Sequence, residues 1–243
     1  MKTIFVAWQN HVDRKWIPVG RLSFDGELYS FNYTQGALLA SNFVPFGRMT
    51  DLSATYKSNE IFPLFANRIL SKSRPEYSNL LKWLNVEDNE FLPMDMLALT
   101  EGRRGTDTLE MFPCPQKFNN KYVMNFFVHG IRHLPEIAQN ELHRLRKGDP
   151  LSLLPDIQNE YDEFAILLRT NDPVSLVGYC PRYLAKDFYS ILHNVRPQLI
   201  KINITQINKD APLQFKLLCS FTSPWPESFE PCSDITFQPI ANE

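Results

Sequence analysis

The feature that most constrains the fold is a hydrophobic pattern whose period changes twice along the 243 residues. The opening residues alternate in polarity as half-buried strands do, and residues 60–100 carry apolar side chains at helical spacing. Short alternating segments then return from Tyr122 onward. This order of blocks, without internal repeats, indicates two successive domains.

The N-terminal block predicts an antiparallel sheet. Thr3–Trp8, Ile17–Phe24 and Glu27–Tyr33 each fit a strand, and Asp25-Gly26 between the last two is typical of a tight hairpin turn.

Three helices are predicted after these strands. The first starts at Glu60 with Asn59 as its cap, the second starts at Pro75, and the third covers Pro93–Leu99 before Glu101-Gly102. Their expected buried faces are Phe62, Phe65, Ala66 and Ile69 in the first and Leu80, Leu81 and Leu84 in the second. Residues 1–112 are therefore expected to form an α+β domain.

The Pro- and Asn-rich stretch around residues 113–121 is predicted to be a connector to a second domain at residues 122–222. That domain is expected to carry the strands Val123–Gly130, Leu151–Leu154, Phe164–Arg169 and Ser175–Tyr179, the helices Pro135–Arg146 and Arg182–Asn194, and two strands after Pro197. The four prolines of residues 223–243 predict an extended surface tail.

Composition excludes several classes of protein. The sequence contains no apolar run of membrane-spanning length and its first residues lack a signal-peptide profile, so a cytoplasmic location is expected. The four cysteines form no CxxC pair and are expected to be ordinary thiols. A net charge of −2 requires any nucleic-acid binding to be local.

No catalytic constellation is visible. The sequence lacks GxSxG, HExxH, phosphate-loop and dinucleotide motifs, so no enzyme activity and no cofactor are expected. His129 and His133 are four residues apart, but they lie in a predicted strand and the following turn, so no metal site is expected either.

The segment Asn159-Glu160-Tyr161-Asp162 places an amide, a ring and carboxylates just before a strand. The Tyr161 ring can stack on a base, and the Asp162 carboxylate can accept a hydrogen bond from a sugar hydroxyl. Arg132 and Arg182 can neutralise nearby phosphates. The alternative is that Asn159 and Asp162 only cap a turn while Tyr161 packs on the domain.

The order VHGIRH, GDPLSL, QNEYDEFAI and LVGYCPRYLA closely resembles the HIRAN domain over about residues 123–192. This resemblance implies an OB-like β-barrel with a helix, and binding to the 3′-hydroxyl end of single-stranded DNA. It implies that the DNA-binding residues are Arg132, His133, Asn159, Tyr161, Asp162, Tyr179 and Arg182. His133 replaces a ring that DNA-binding members often have, and Glu160 replaces a common proline.

The first 112 residues show a looser likeness, through VGRLSFDGELYSFNYTQGA, EIFPLFANRIL and LPMDMLALTEGRRGTDTLEMFP, to the N-terminal subdomain of HipA-type kinases. No kinase core follows. The likeness implies either an antitoxin-like or regulatory protein of a bacterial toxin–antitoxin system that binds a HipA-family kinase, or a scaffold or dimer surface. Arg103 and Arg104 are candidate phosphate contacts in an exposed loop.

Overall fold

The computed structural model describes residues 2–87 and 92–241, whose helices and strands divide into two units. The first unit contains residues 1–79, 87–114 and 230–243, and the second contains residues 80–86 and 115–229. Met1, residues 88–91 and the last two residues of the predicted tail lie outside the described residues.

The elements up to residue 113 begin with three strands. Their full order is β1 (Lys2–Gln9), β2 (Trp16–Phe24), β3 (Tyr29–Tyr33), α1 (Gln35–Leu39), β4 (Thr55–Ser58), α2 (Pro63–Ala66), α3 (Tyr77–Leu84), α4 (Pro93–Thr100) and β5 (Leu109–Pro113). Because α1 precedes β4 and β5 follows the last helix, strands and helices are more mixed than predicted.

The sheet of the first unit is antiparallel, with strand order β4-β3-β2-β1-β5. The three strands predicted at the N-terminus are confirmed. Between β2 and β3, the Asp25 carboxylate accepts bonds from the backbone N–H groups of Glu27 and Leu28, and Gly26 has φ +115°. The predicted hairpin turn therefore has the expected chemistry. On the buried face of the sheet, Phe31 of β3 packs against Phe65 of α2.

The helix expected to start at Glu60 is wrong in its bounds. α2 has only four residues, Phe62 precedes it with extended backbone, and Pro63 occupies its first turn. Residues after Ala66 form hydrogen-bonded turns instead of continuing the helix. Phe65 is nevertheless buried, and Phe62 and Ile69 pack on the same core. The apolar spacing therefore predicted which side chains are buried but overestimated the length of the helix.

The second part of the chain alternates short strands with two helices. Its elements are β6 (Lys117–Phe118), β7 (Lys121–Phe127), α5 (Glu136–Glu141), β8 (Ser152–Pro155), β9 (Ile166–Arg169), β10 (Leu176–Tyr179), α6 (Arg182–Asn194), β11 (Lys201–Ile207) and β12 (Leu217–Pro224). A 3-10 turn at Ile131–His133 follows β7, and another at Leu142–Arg144 follows α5.

These strands form two antiparallel sheets, ordered β10-β9-β8 and β11-β12-β7-β6. Isolated bridges between His129 and Tyr179 and between Pro150 and Asn203 join them. The described residues therefore form no closed barrel, which corrects the expectation of a continuous one. One core, including Phe126, Ile166 and Phe188, lies under both sheets and α6.

Two segments predicted from their proline content contain more structure than the prediction gave them. Residues 117–118 pair with residues 121–122 through a turn at Asn119 and Asn120, both with positive φ, so the connector contains a hairpin. The predicted tail begins with the end of β12, and Phe237 packs edge-on against Phe5 at 4.9 Å. Proline removes one backbone donor from a ladder but does not prevent pairing through its carbonyl or burial of the side chains beside it.

No helix within the described ranges is both long and apolar enough to cross a bilayer.

Candidate nucleic-acid interface

The turn between β8 and β9 is shaped by the side chains of Asn159 and Asp162. The Asn159 Oδ1 atom accepts bonds from the N–H groups of Tyr161 at 3.0 Å and Asp162 at 3.1 Å. The Asp162 Oδ1 atom accepts a bond from the N–H of Phe164 at 3.0 Å. Both side chains therefore cap the turn, as the alternative interpretation of the sequence proposed.

Tyr161 lies on this turn with 71% of its surface exposed. The packing role that the same alternative assigned to it is therefore wrong. An exposed ring held by a turn with fixed hydrogen bonds is suited to stacking on a planar ligand.

The second oxygen of Asp162 points toward Arg182, the first residue of α6. Its Oδ2 atom lies 3.8 Å from the Arg182 Nε atom, so the charges attract without a direct hydrogen bond. Burial raises the pKa of Asp162, while the Phe164 N–H and Arg182 lower it. The site thus holds a half-buried carboxyl with one oxygen that can accept a further hydrogen bond.

Tyr179 connects β10 to the same turn through Asp156. Its hydroxyl donates to the Asp156 Oδ2 atom at 2.9 Å, and the Asn159 side-chain amide donates to the same oxygen at 3.1 Å. Burial raises the pKa of Tyr179, and its bond to Asp156 adds to the rise. Asp156 was not predicted, because nothing in its local sequence distinguishes it from other surface carboxylates.

Arg132 and His133 are positioned by the bridge between His129 and Tyr179, whose two N–H···O bonds are 2.9 Å long. Gly130 follows with φ +67°, and a Cβ there would lie 2.9 Å from the Tyr179 ring. The next turn exposes Arg132 and His133, with the Arg132 Nε donating to the His133 Nε2 at 3.0 Å. Arg132 and His133 therefore come just after the backbone segment that pairs with Tyr179.

The comparisons with known proteins concern this half of the chain. Residues 121–222 match the family model of the HIRAN domain. The crystal structure of the HIRAN domain of human HLTF is similar at 19% identity, covering 42% of this chain and 74% of that chain, with a TM-score of 0.32. A protein from Lactobacillus plantarum is similar at 20% identity, covering 42% and 98%, with a TM-score of 0.33. No curated protein matches significantly.

The match supports the HIRAN domain predicted at residues 122–222, and its residues 121–222 are hereafter called the HIRAN segment. It begins seven residues before the first quoted motif and ends within β12. It contains all seven residues predicted to bind DNA. The likeness of residues 1–112 to the HipA N-terminal subdomain stays a prediction.

The two arginines predicted as phosphate contacts belong to the first unit and differ from each other. Arg103 lies 3.0 Å from a carboxylate oxygen of Glu101 and 2.8 Å from one of Glu110, and both glutamates are buried. It thereby neutralises two charges of its own unit, which argues against the phosphate role. Arg104 is exposed, and its role stays a prediction.

The HIRAN segment also contains a cavity of about 90 Å³, lined in part by Leu142, Arg144, Thr170, Pro173 and Leu176. None of the predicted DNA-binding residues lines it. The candidate interface is therefore an open surface rather than this cavity.

Proposed function

We propose that the HIRAN segment is a non-enzymatic module that binds the end of a single DNA strand, preferably one with a free 3′-hydroxyl. The observation that carries the proposal is the exposed Tyr161 ring beside half-buried Asp162, whose second oxygen faces Arg182 at 3.8 Å. In this arrangement the terminal base stacks on Tyr161, and the terminal hydroxyl donates a hydrogen bond to Asp162.

Charge explains why an end would be preferred over the interior of a strand. An ionised Asp162 repels phosphate, so the group placed against it is favoured when it is a neutral hydroxyl. Arg182 and Arg132 are exposed and can attract the phosphates that precede the end. A few placed cations are sufficient for such a site despite the net charge of −2.

The test is fluorescence anisotropy with labelled single-stranded DNA carrying a 3′-hydroxyl, a 3′-phosphate or a dideoxy 3′ end, at two salt concentrations. We expect the wild-type protein to prefer the hydroxyl. Asp162→Asn removes the negative charge and should abolish most of that preference. Tyr161→Ala should weaken binding of every probe by about 1–3 kcal/mol, because one stacking contact is lost.

Matched controls lie in the same unit. Phe118 is a 66% exposed ring on β6, and Asp210 is an exposed carboxylate, so Phe118→Ala and Asp210→Asn should leave binding unchanged. Wild-type binding that does not distinguish the three ends would contradict the proposal, as would equal losses in the controls.

The alternative function, binding of a HipA-family kinase by the first unit, rests on sequence likeness alone and stays a prediction. Retention of such a kinase by the purified protein would support it.

A further inference from the structure

One face of α6 carries a row of side chains that continues from the end-binding site. Arg182, Lys186, Tyr189 and His193 are spaced by four, three and four residues, which places them on the same side of a helix. Arg182 belongs to the candidate interface, so the row starts at the site and leads away from it.

Phe164 connects this row to the turn of Asp162. The Lys186 Nζ atom lies 6.0 Å from the centre of the Phe164 ring, which is a cation–π distance. Tyr189 meets the same ring at 5.4 Å with the planes at 70°. Phe164 is only two residues from Asp162, so the contacts continue without a gap from the carboxyl to the helix.

His193 extends the row to the last turn of α6. Its ring lies 4.4 Å from the Tyr189 ring with the planes tilted by 36°, and its Nδ1 atom is 2.8 Å from the Tyr189 carbonyl oxygen. The bond fixes the imidazole over Tyr189. His193 is exposed, so its ring is accessible from solvent.

We propose that these five residues, Phe164, Arg182, Lys186, Tyr189 and His193, form an α6 ridge that binds the nucleotides preceding the DNA end. The inference rests on the proposed function and adds a direction for the strand. Cations beside aromatic rings are the combination that holds single strands, the cations through phosphates and the rings through bases.

The dimensions of the ridge set the number of nucleotides. Residues 182 and 193 are about 16 Å apart along a helix that rises about 1.5 Å per residue. At about 3.4 Å per stacked nucleotide, this distance corresponds to about five nucleotides.

The neighbouring acidic groups are compatible with this path. Asp187 follows Lys186, but its Oδ2 atom accepts a bond from the hydroxyl of Tyr122, a buried residue of the core, at 3.0 Å. Glu163 is exposed beside Phe164 and is the acidic neighbour that a phosphate on the ridge must avoid.

The experiment measures affinity for 3′-hydroxyl oligothymidylates of three, six and twelve nucleotides with the full chain. We expect wild-type affinity to rise at least about tenfold from three to six nucleotides and to change little beyond six, because stacking and phosphate contacts stop at the end of the ridge. The Lys186→Ala/His193→Ala double variant should lose most of this gain, and its salt dependence should become shallower by about 0.7 for the missing phosphate contact.

The controls separate this inference from the proposed function. The double variant should keep the wild-type preference for a 3′-hydroxyl over a dideoxy end, while Lys201→Ala, which removes an exposed charge from β11, should keep the length dependence. If the double variant kept the full gain in affinity from three to six nucleotides, the proposed role of the ridge would be overturned. A wild-type protein without end preference at any length would instead overturn the proposed function.

Discussion

At the scale of single residues, Asp162 combines two tasks in one carboxyl group. Its Oδ1 atom holds the turn through the Phe164 N–H, and its Oδ2 atom faces Arg182. Burial raises the pKa of Asp162 above the ordinary value of 3.8 in spite of both contacts. Folding therefore favours the neutral form of the Asp162 carboxyl relative to the ionised form.

This shift predicts the sign of a pH effect on stability. Because the folded pKa of Asp162 is raised, ionised Asp162 opposes folding above that pKa, and the penalty disappears as the pH falls below the unfolded value. Asp162→Asn should consequently melt at a higher temperature than wild type near pH 7, with the difference shrinking toward pH 4. Thermal melting of both proteins across this range measures it.

The relevant quantity is the difference in melting temperature between the variant and wild type, because other carboxyls have lowered pKa values and shift stability with pH in the opposite direction. Backbone N–H groups lower the pKa of Asp25, and Ser53 lowers the pKa of Asp51. Asp210→Asn is the control that changes an exposed carboxyl. A lower melting temperature for Asp162→Asn at pH 7 would show that the charge stabilises the fold.

The site was predictable to the extent that its chemistry is local. Asn159 and Asp162 accept bonds from backbone groups of residues 161–164, so their roles can be inferred from the short segment 159–164. Asp156 acts on Tyr179, 23 positions away, and Phe164 meets Tyr189 across the fold. Partners brought together by tertiary structure leave no signal in either local sequence.

At the scale of elements, β10 depends on a glycine that allows close approach of another backbone. Gly178 has φ +145°, and a Cβ there would lie 2.4 Å from the Val128 side chain and 2.5 Å from the His129 carbonyl oxygen. The register with β9 also shifts at this point. Tyr179, the next residue, donates a hydrogen bond from its hydroxyl to Asp156.

Gly178→Ala should therefore lower the free energy of unfolding by about 1–3 kcal/mol, since an added methyl group must displace packed backbone. Urea unfolding followed by circular dichroism measures the loss. Gly105 has open space around the position of a Cβ, so Gly105→Ala is the matched control with little expected effect. Equal stability of the two variants would contradict this account of β10.

The elements themselves were predictable where length and pattern agree. α6 follows Pro181 and repeats apolar residues every four positions, and its predicted bounds are those of the structure. β4 and β6 have four and two residues, and they exist because β3 and β7 pair with them. Such short strands are determined by their partners and have no pattern of their own.

At the scale of the whole molecule, the first unit is completed by residues far from its sheet in sequence. The Ile240 N–H donates to the Tyr33 carbonyl and the Gln35 N–H donates to the Gln238 carbonyl, at 2.9 and 2.8 Å. Phe237 packs against Phe5 and Phe112. The sequence does not reveal this return, because the segment has no periodicity that distinguishes packing from exposure.

Phe237→Ala should destabilise the first unit by about 1–3 kcal/mol, because a half-buried ring loses its contacts with two others. The expected result is a lower melting temperature, with the DNA binding proposed for the HIRAN segment unchanged. Ile235, 64% exposed in the same short turn, provides the control Ile235→Ala. A Phe237→Ala protein as stable as this control would show that the packing of Phe237 adds little to the stability of the first unit.

The three separate stretches of the first unit have a consequence for synthesis on the ribosome. The strands of its sheet are translated first, but residues 230–243 emerge only after the whole second unit, residues 80–86 and 115–229, has been made. Domains usually mature in the order of their translation. In this chain the order is inverted, so a nascent chain has a finished second unit while the first still exposes the rings that Phe237 will cover.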